Sequence, residues 1–155
     1  MSLADEVKTK EEVWDSRNNL DNLLDEATHA LADRTKNLAV AAIDEGKMWQ
    51  AGYANIFRNP EFANMTACAD LFSFLEEINS MRELFFERAM SGSPIDVLFG
   101  EELGLPQLLP VGIVATHFDV RGKKGVLGVI GPVRLSYPTI IPILRYFRNL
   151  IQEIA

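Results

Sequence analysis

The sequence has little of what most catalytic and metal sites are built from. Its 155 residues contain one cysteine, Cys68, and two histidines, His29 and His117. One cysteine excludes an intramolecular disulfide, and a reducing cytoplasm is the simplest setting for such a chain. Two distant histidines and one thiol give no ligand spacing of the zinc type. No apolar run approaches the roughly 18 uncharged residues of a membrane-spanning helix. The polar first residues, 1–12, do not form a secretory signal and are read as lying outside the fold, disordered or vector-derived. Positive charge is also short: the formal net charge is −7. A free-standing nucleic-acid binder carries a basic footprint, so this chain is a poor candidate for gripping phosphates alone.

Catalytic readings fail on the same scarcity. Cys68 lies between Ala67 and Ala69 with no adjacent base, so an inert buried thiol is the better reading. His117 sits beside Thr116 and Phe118 and reads as a satisfied sheet histidine, while His29 reads as a surface residue. Glu101 and Glu102 are neighbours and in an extended segment point to opposite faces, which disfavours a shared ion. Gly125, Gly128 and Gly131 have the wrong spacing for a dinucleotide fingerprint and lead into Pro132. The chain is read as a non-enzyme with no catalytic, cofactor-binding or metal-binding residues.

What the sequence does contain is patterned apolar residues, 48% of the total, without internal repeat or linker. One domain over residues 1–155 is the natural reading. Thr9-Lys10-Glu11-Glu12 has the form of a capping box at a helix start. Leu20, Leu23, Leu24, Ala27 and Leu31 then fall on one helical stripe ending near Thr35. Two extended segments, 38–43 and 48–57, flank Asp44-Glu45-Gly46-Lys47 as a hairpin. A second helix is expected from the spacing of Leu71, Leu75, Ile78 and Phe85. Strands follow at 95–99, 111–120 and 125–130, with Arg121-Gly122 as the turn between the last two. A final helix over 138–154 carries Ile140, Ile143, Leu144, Phe147 and Ile151 on one stripe, with Pro142 near its start. Short turns between neighbouring strands imply an antiparallel sheet covered by helices, an α+β fold of the GAF or PAS type.

The glycine-spaced strand from Gly125 through Gly128 to Gly131-Pro132-Val133-Arg134-Leu135-Ser136-Tyr137 resembles the closing motif of the HrcA repressors. That family's usual methionine is Leu135 here. Gly100-Glu101-Glu102 is similar to its Gly-Glu-Glu segment. Gly52-Tyr53-Ala54-Asn55, then Pro60-Glu61-Phe62, is similar to its Gly-x-x-Asn and Pro-Glu-Phe signatures. Leu31-Ala32-Asp33-Arg34-Thr35 is similar to the start of its GAF-like domain.

The resemblance implies a GAF-like domain with an antiparallel sheet of about five strands and packed N- and C-terminal helices. It implies the regulatory and dimerisation domain of a heat-shock repressor that silences chaperone genes. Such a protein binds an inverted-repeat operator through a winged helix, and a GroEL-type chaperonin helps keep it active. No stretch here corresponds to that winged helix, and residues 44–47 pass straight between two strands where the family usually inserts a dimerisation domain. The quoted motif residues are then structural or interface positions, with Arg134 expected to pair with Glu101 or Glu102. The alternative is a small-molecule-sensing GAF domain of another transcription regulator, which needs an apolar pocket with converging polar groups. A GAF-fold sulfoxide reductase is a distant third, since it would want more cysteines.

Overall fold

The computed structural model describes residues 2–14, 19–43, 47–58, 96–99, 111–132 and 136–154, with single positions 69 and 73. Within these, three helices precede or accompany the first strands: α1 (Leu3–Trp14), α2 (Leu20–Thr35) and the short α3 (Tyr53–Arg58). The strands are β1 (Leu38–Ile43), β2 (Met48–Ala51), β3 (Asp96–Phe99), β4 (Val111–Val120) and β5 (Lys123–Pro132). Helix α4 (Tyr137–Ile154) closes the chain. The segment expected to hold a helix around Leu71 to Phe85 lies outside the described residues, as do Cys68 and Leu135.

Helix α2 forms where the Leu20–Leu31 stripe predicts. Its start is fixed by Asn19, whose backbone is extended and whose Oδ1 accepts the Asn22 N–H at 3.2 Å. Such a cap satisfies one of the four amides a helix leaves without partners. At the other end Lys36 takes a left-handed conformation, φ 57°, and donates its N–H to the Ala32 carbonyl. The Thr9 capping box is not observed. Thr9 lies inside α1, fully buried, and α1 occupies residues that the sequence pattern leaves outside the fold.

All five strands form one antiparallel sheet in the order β2-β1-β5-β4-β3. The β4–β5 hairpin turns through Arg121 and Gly122, both at positive φ, as a tight two-residue turn requires. The expected strand over residues 48–57 is only half right. β2 stops at Ala51, Gly52 turns the backbone at φ 93°, and residues 53–58 are helical. Pro142 lies near the start of α4, as expected, in its second turn. It is exposed there and leaves one helix carbonyl without its usual N–H donor.

Helices α2 and α4 pack together on one face of the sheet. Leu23, Leu24, Leu31, Leu144, Phe147 and Ile151 meet Ala39, Ala41, Val114, Phe118, Leu127 and Val129 in one apolar cluster. The opposite face is buried too: Leu38, Val40, Ile113, Ala115, Val126 and Ile130 are all at most 1% exposed. Two covered faces explain why Leu-Ala-Val-Ala-Ala-Ile in β1 reads as an unbroken apolar run rather than an alternation. One antiparallel sheet of five strands, with the first and last long helices packed together on it, is the expected α+β architecture.

Gly125 shows how tightly the helix-facing layer is filled. It pairs with Phe118 across β4 and β5, and a Cβ built on it would lie 2.3 Å from the Phe118 ring. Phe118 is itself buried among the side chains beneath α2 and α4, so the ring has nowhere cheap to go. Gly125→Ala should therefore lower stability by about 1–3 kcal/mol, the usual cost of overpacking a core. In a Phe118→Leu background the same change should cost much less. Urea unfolding of the four proteins checks this, and equal costs in both backgrounds would contradict the contact.

Candidate functional site

Gly52 and Asn55, with the Leu31–Thr35 motif, form two joints at the C-terminal end of α2, while the other described motif residues lie in β5 and at the start of α4. The first is the corner where β2 turns into α3. Gly52 has φ 93°, and a Cβ there would sit 2.5 Å from the Asn37 carbonyl oxygen and 2.9 Å from Ala32 Cβ. Only glycine gives both the left-handed backbone and the room. Three residues on, Asn55 donates from Nδ2 to the Asn37 carbonyl at 2.9 Å and, more weakly, to that of Ala32 at 3.4 Å. The Asn55 backbone N–H closes the turn on the Gly52 carbonyl at 2.9 Å. The two signatures Leu31-Ala32-Asp33-Arg34-Thr35 and Gly52-x-x-Asn55, separate in sequence, thus lock into one another.

The second joint holds α1. Arg34, in the last turn of α2, donates from Nε and Nη2 to the hydroxyl of Thr9 at 3.3 and 3.2 Å. A cation is favoured at that helix end by the backbone dipoles. From α4, the Tyr146 hydroxyl donates to the Glu6 carbonyl at 3.1 Å, and Lys10 lies 3.6 Å from Glu153. Burial, with the carboxylates of Glu6 and Glu153 adding, raises the Tyr146 phenol above its ordinary value, so it remains a donor at neutral pH.

The closing glycines sit in the central strand. Gly125 faces Ile43 on one side and Phe118 on the other, Gly128 lies between Val40 and Ala115, and Gly131 opposes Gly112. Pro132 is the last residue of β5, opposite Val111 at the strand's end. Tyr137 opens α4, packs partly buried against the core, and has its phenol raised by that burial. Pro60, Glu61, Phe62, Gly100, Glu101, Glu102 and Arg134 lie outside the described residues, and so does the expected Arg134 pairing.

Of the two histidines, His29 is on the surface beside Asp25, as its helix position predicts. His117 departs from expectation. Its carbonyl accepts the Arg148 Nε–H at 2.8 Å, but its own Nε2 is buried without a hydrogen-bond partner. The sheet histidine is therefore not fully satisfied. Among the described residues no three His, Cys, Asp or Glu side chains come together as a metal site. What this arrangement supplies is mechanical: polar joints that fix peripheral elements to the helix pair.

The capping residue Asn19 and the buried Thr9 escape sequence reading. Thr9 stands among Lys8, Lys10 and Glu11 and matches a capping box, and nothing in that pattern points to burial against Arg34. For Asn55 a signal exists, because a glycine closing a strand and an asparagine three residues on mark a side-chain-braced turn. Replacing Asn55 with Ala should cost about 1–2 kcal/mol of stability, the value of its hydrogen bonds and of the carbonyls left behind. Asn55→Asp should cost more near neutral pH, because a carboxylate would face two carbonyl oxygens, and the excess should shrink in acid as the group protonates. Thermal unfolding at pH 4 and pH 7 reads both effects; an aspartate that matches the wild type would refute the donor role.

Comparison with known proteins agrees with this architecture. The family model described as the HrcA protein C terminal domain matches residues 2–141. The heat-inducible transcription repressor HrcA of Geobacter sulfurreducens is 33% identical over 112 residues, covering 72% of this chain and 32% of that protein. The one from Carboxydothermus hydrogenoformans is 29% identical over 111 residues, covering 71% and 32%. The chain thus spans about a third of the length of the curated relatives it matches. A solved structure titled as a hypothetical protein superposes with a TM-score of 0.69 over 87% of this chain and 67% of its own, at 12% identity, a likeness of fold. With the family match running across the described sheet and into the closing helix, this chain belongs to the HrcA family, within the region of its C-terminal domain.

Proposed function

We propose that this chain acts as the regulatory and dimer-supporting domain of a heat-inducible transcription repressor. The observation that carries the reading is the family match over residues 2–141, which takes in every described element but most of α4. The relatives' shared name, heat-inducible transcription repressor, supplies the biological role. In this reading the operator is read by the winged helices of a dimeric repressor, and this domain governs whether those two winged helices are held in register. Its partners are a second copy of itself and, through the family resemblance, a GroEL-type chaperonin. Its setting is the cytoplasm, and no helix among the described residues is long and apolar enough to cross a membrane. Catalysis has no part in it.

The chain's own charge supports a division of labour. Duplex recognition needs phosphate contacts from a basic surface and an element seated in a groove. A net charge of −7 opposes the first requirement. Fluorescence anisotropy of this chain with an inverted-repeat operator and a scrambled duplex should show no preference between them. Residual binding should fall steeply with added salt. Tight binding that prefers the operator would overturn the assignment of DNA reading to another domain. Light scattering on the same preparation should give twice the chain mass, and a monomer at working concentration would remove the dimer-supporting part.

A further inference from the structure

The core of this protein and its first helix are held by different forces. Across α2, α4 and the sheet, burial is apolar and nearly complete. Leu23, Leu24, Leu31, Leu144, Phe147 and Ile151 are all 0% exposed, within one cluster that also draws on β1, β4 and β5. Helix α1 contributes nothing to that cluster among its described side chains, residues 2–11. Of the apolar side chains described in α1, Leu3 is 77% exposed and Val7 51%. The one buried side chain over that span is Thr9, a polar residue.

Among the described side chains, the contacts that attach α1 are polar. Arg34 spans to the Thr9 hydroxyl, Tyr146 to the Glu6 carbonyl, and Lys10 to Glu153. Lys10 and Glu153 are both more than half exposed, so their pair adds little. Among the described residues no carboxylate lies within ion-pair distance of Arg34, and its partner is a neutral hydroxyl. A helix of 12 residues is marginal in water by itself, so once detached it does not persist as a helix.

We propose that α1 is a thermally labile latch, released from the α2–α4 pair at a lower temperature than the one that unfolds the sheet. Local opening draws on the polar contacts of α1, while global unfolding must expose the whole apolar core. The Arg34–Thr9 contact is the catch, because it ties the first helix to the same turn of α2 that carries the Lys36 cap and receives Asn55. Its consequence for gene control rests on the repressor reading. Release of α1 would loosen whatever is joined to it while the regulatory core stays folded.

Hydrogen exchange with mass spectrometry on this chain, stepped through temperature, tests the latch without reference to DNA. Peptides from α1 should lose protection at a lower temperature than peptides from β4 and β5. Thr9→Val keeps the volume and removes the acceptor, so α1 protection should fall about five- to tenfold, the equivalent of one hydrogen bond, with β4 and β5 unchanged. Thr9→Ser keeps the hydroxyl and should restore most of that protection. Tyr146→Phe should act in the same direction as Thr9→Val. The proposal is overturned if α1 and the sheet exchange in one concerted transition, or if Thr9→Val and Thr9→Ser behave alike. Because exchange is read on this chain alone, either result leaves the operator and light-scattering outcomes untouched, so failure of the latch and failure of the repressor reading are distinguishable.

Discussion

The apolar layer between the α2–α4 pair and the sheet is what every other part of this structure leans on. Phe147, Leu144, Leu23, Leu24 and Leu31 supply the bulk from the helices. The strands beneath them answer with small residues: Ala39 and Ala41 in β1 and Gly125 in β5 sit on the same face. Large against small lets helices and sheet interdigitate at interior density. Losing one such helix side chain would leave a cavity costing several kcal/mol, on the order of 3–5 for phenylalanine. Because the layer joins residues near 20–31 to residues near 140–151, it also brings distant parts of the chain together. Strand β1, early in sequence, can then lie directly beside β5, late in sequence.

Around that layer the attachments change character. The β2–α3 corner is held by one asparagine amide and one left-handed glycine, and α1 by a hydroxyl and a phenol. Each hydrogen bond of this type contributes about 1 kcal/mol net, small beside the burial of a leucine or phenylalanine. Stability is therefore graded outward from the helix–sheet layer. In the regulatory role proposed above, such a gradient would let peripheral joints open while the core stays folded.

Much of the fold was legible because the sequence patterns it strongly. The Leu20–Leu31 stripe, the β-branched run at 111–120, the Arg121-Gly122 turn and the isoleucine-rich last helix each follow from one local rule. The errors came where tertiary context overrode local pattern. Residues 53–57 carry apolar side chains that suit a strand, but the positive φ of Gly52 breaks the extended backbone before them. Thr9 matches a capping box in spacing, yet the contact with Arg34, twenty-five residues away, places it inside a helix instead. His117 alternates correctly within its strand, but nothing in the sequence reveals that Nε2 is buried without a partner. Of the family signatures, Gly52 and Asn55 proved to be one device with the end of α2, a relation that linear spacing does not disclose.

The account makes this chain a regulatory domain whose contribution to a repressor is temperature-dependent order rather than DNA reading. A chimera puts that claim to its most direct test. The matching region of the Geobacter sulfurreducens repressor is replaced by this chain, and a reporter behind an inverted-repeat operator is followed in a repressor-deficient host across a temperature upshift. The account predicts repression at growth temperature and release on heating, with chimera levels held constant by immunoblot. Expression of stable chimera that represses equally at both temperatures, or at neither, would contradict it.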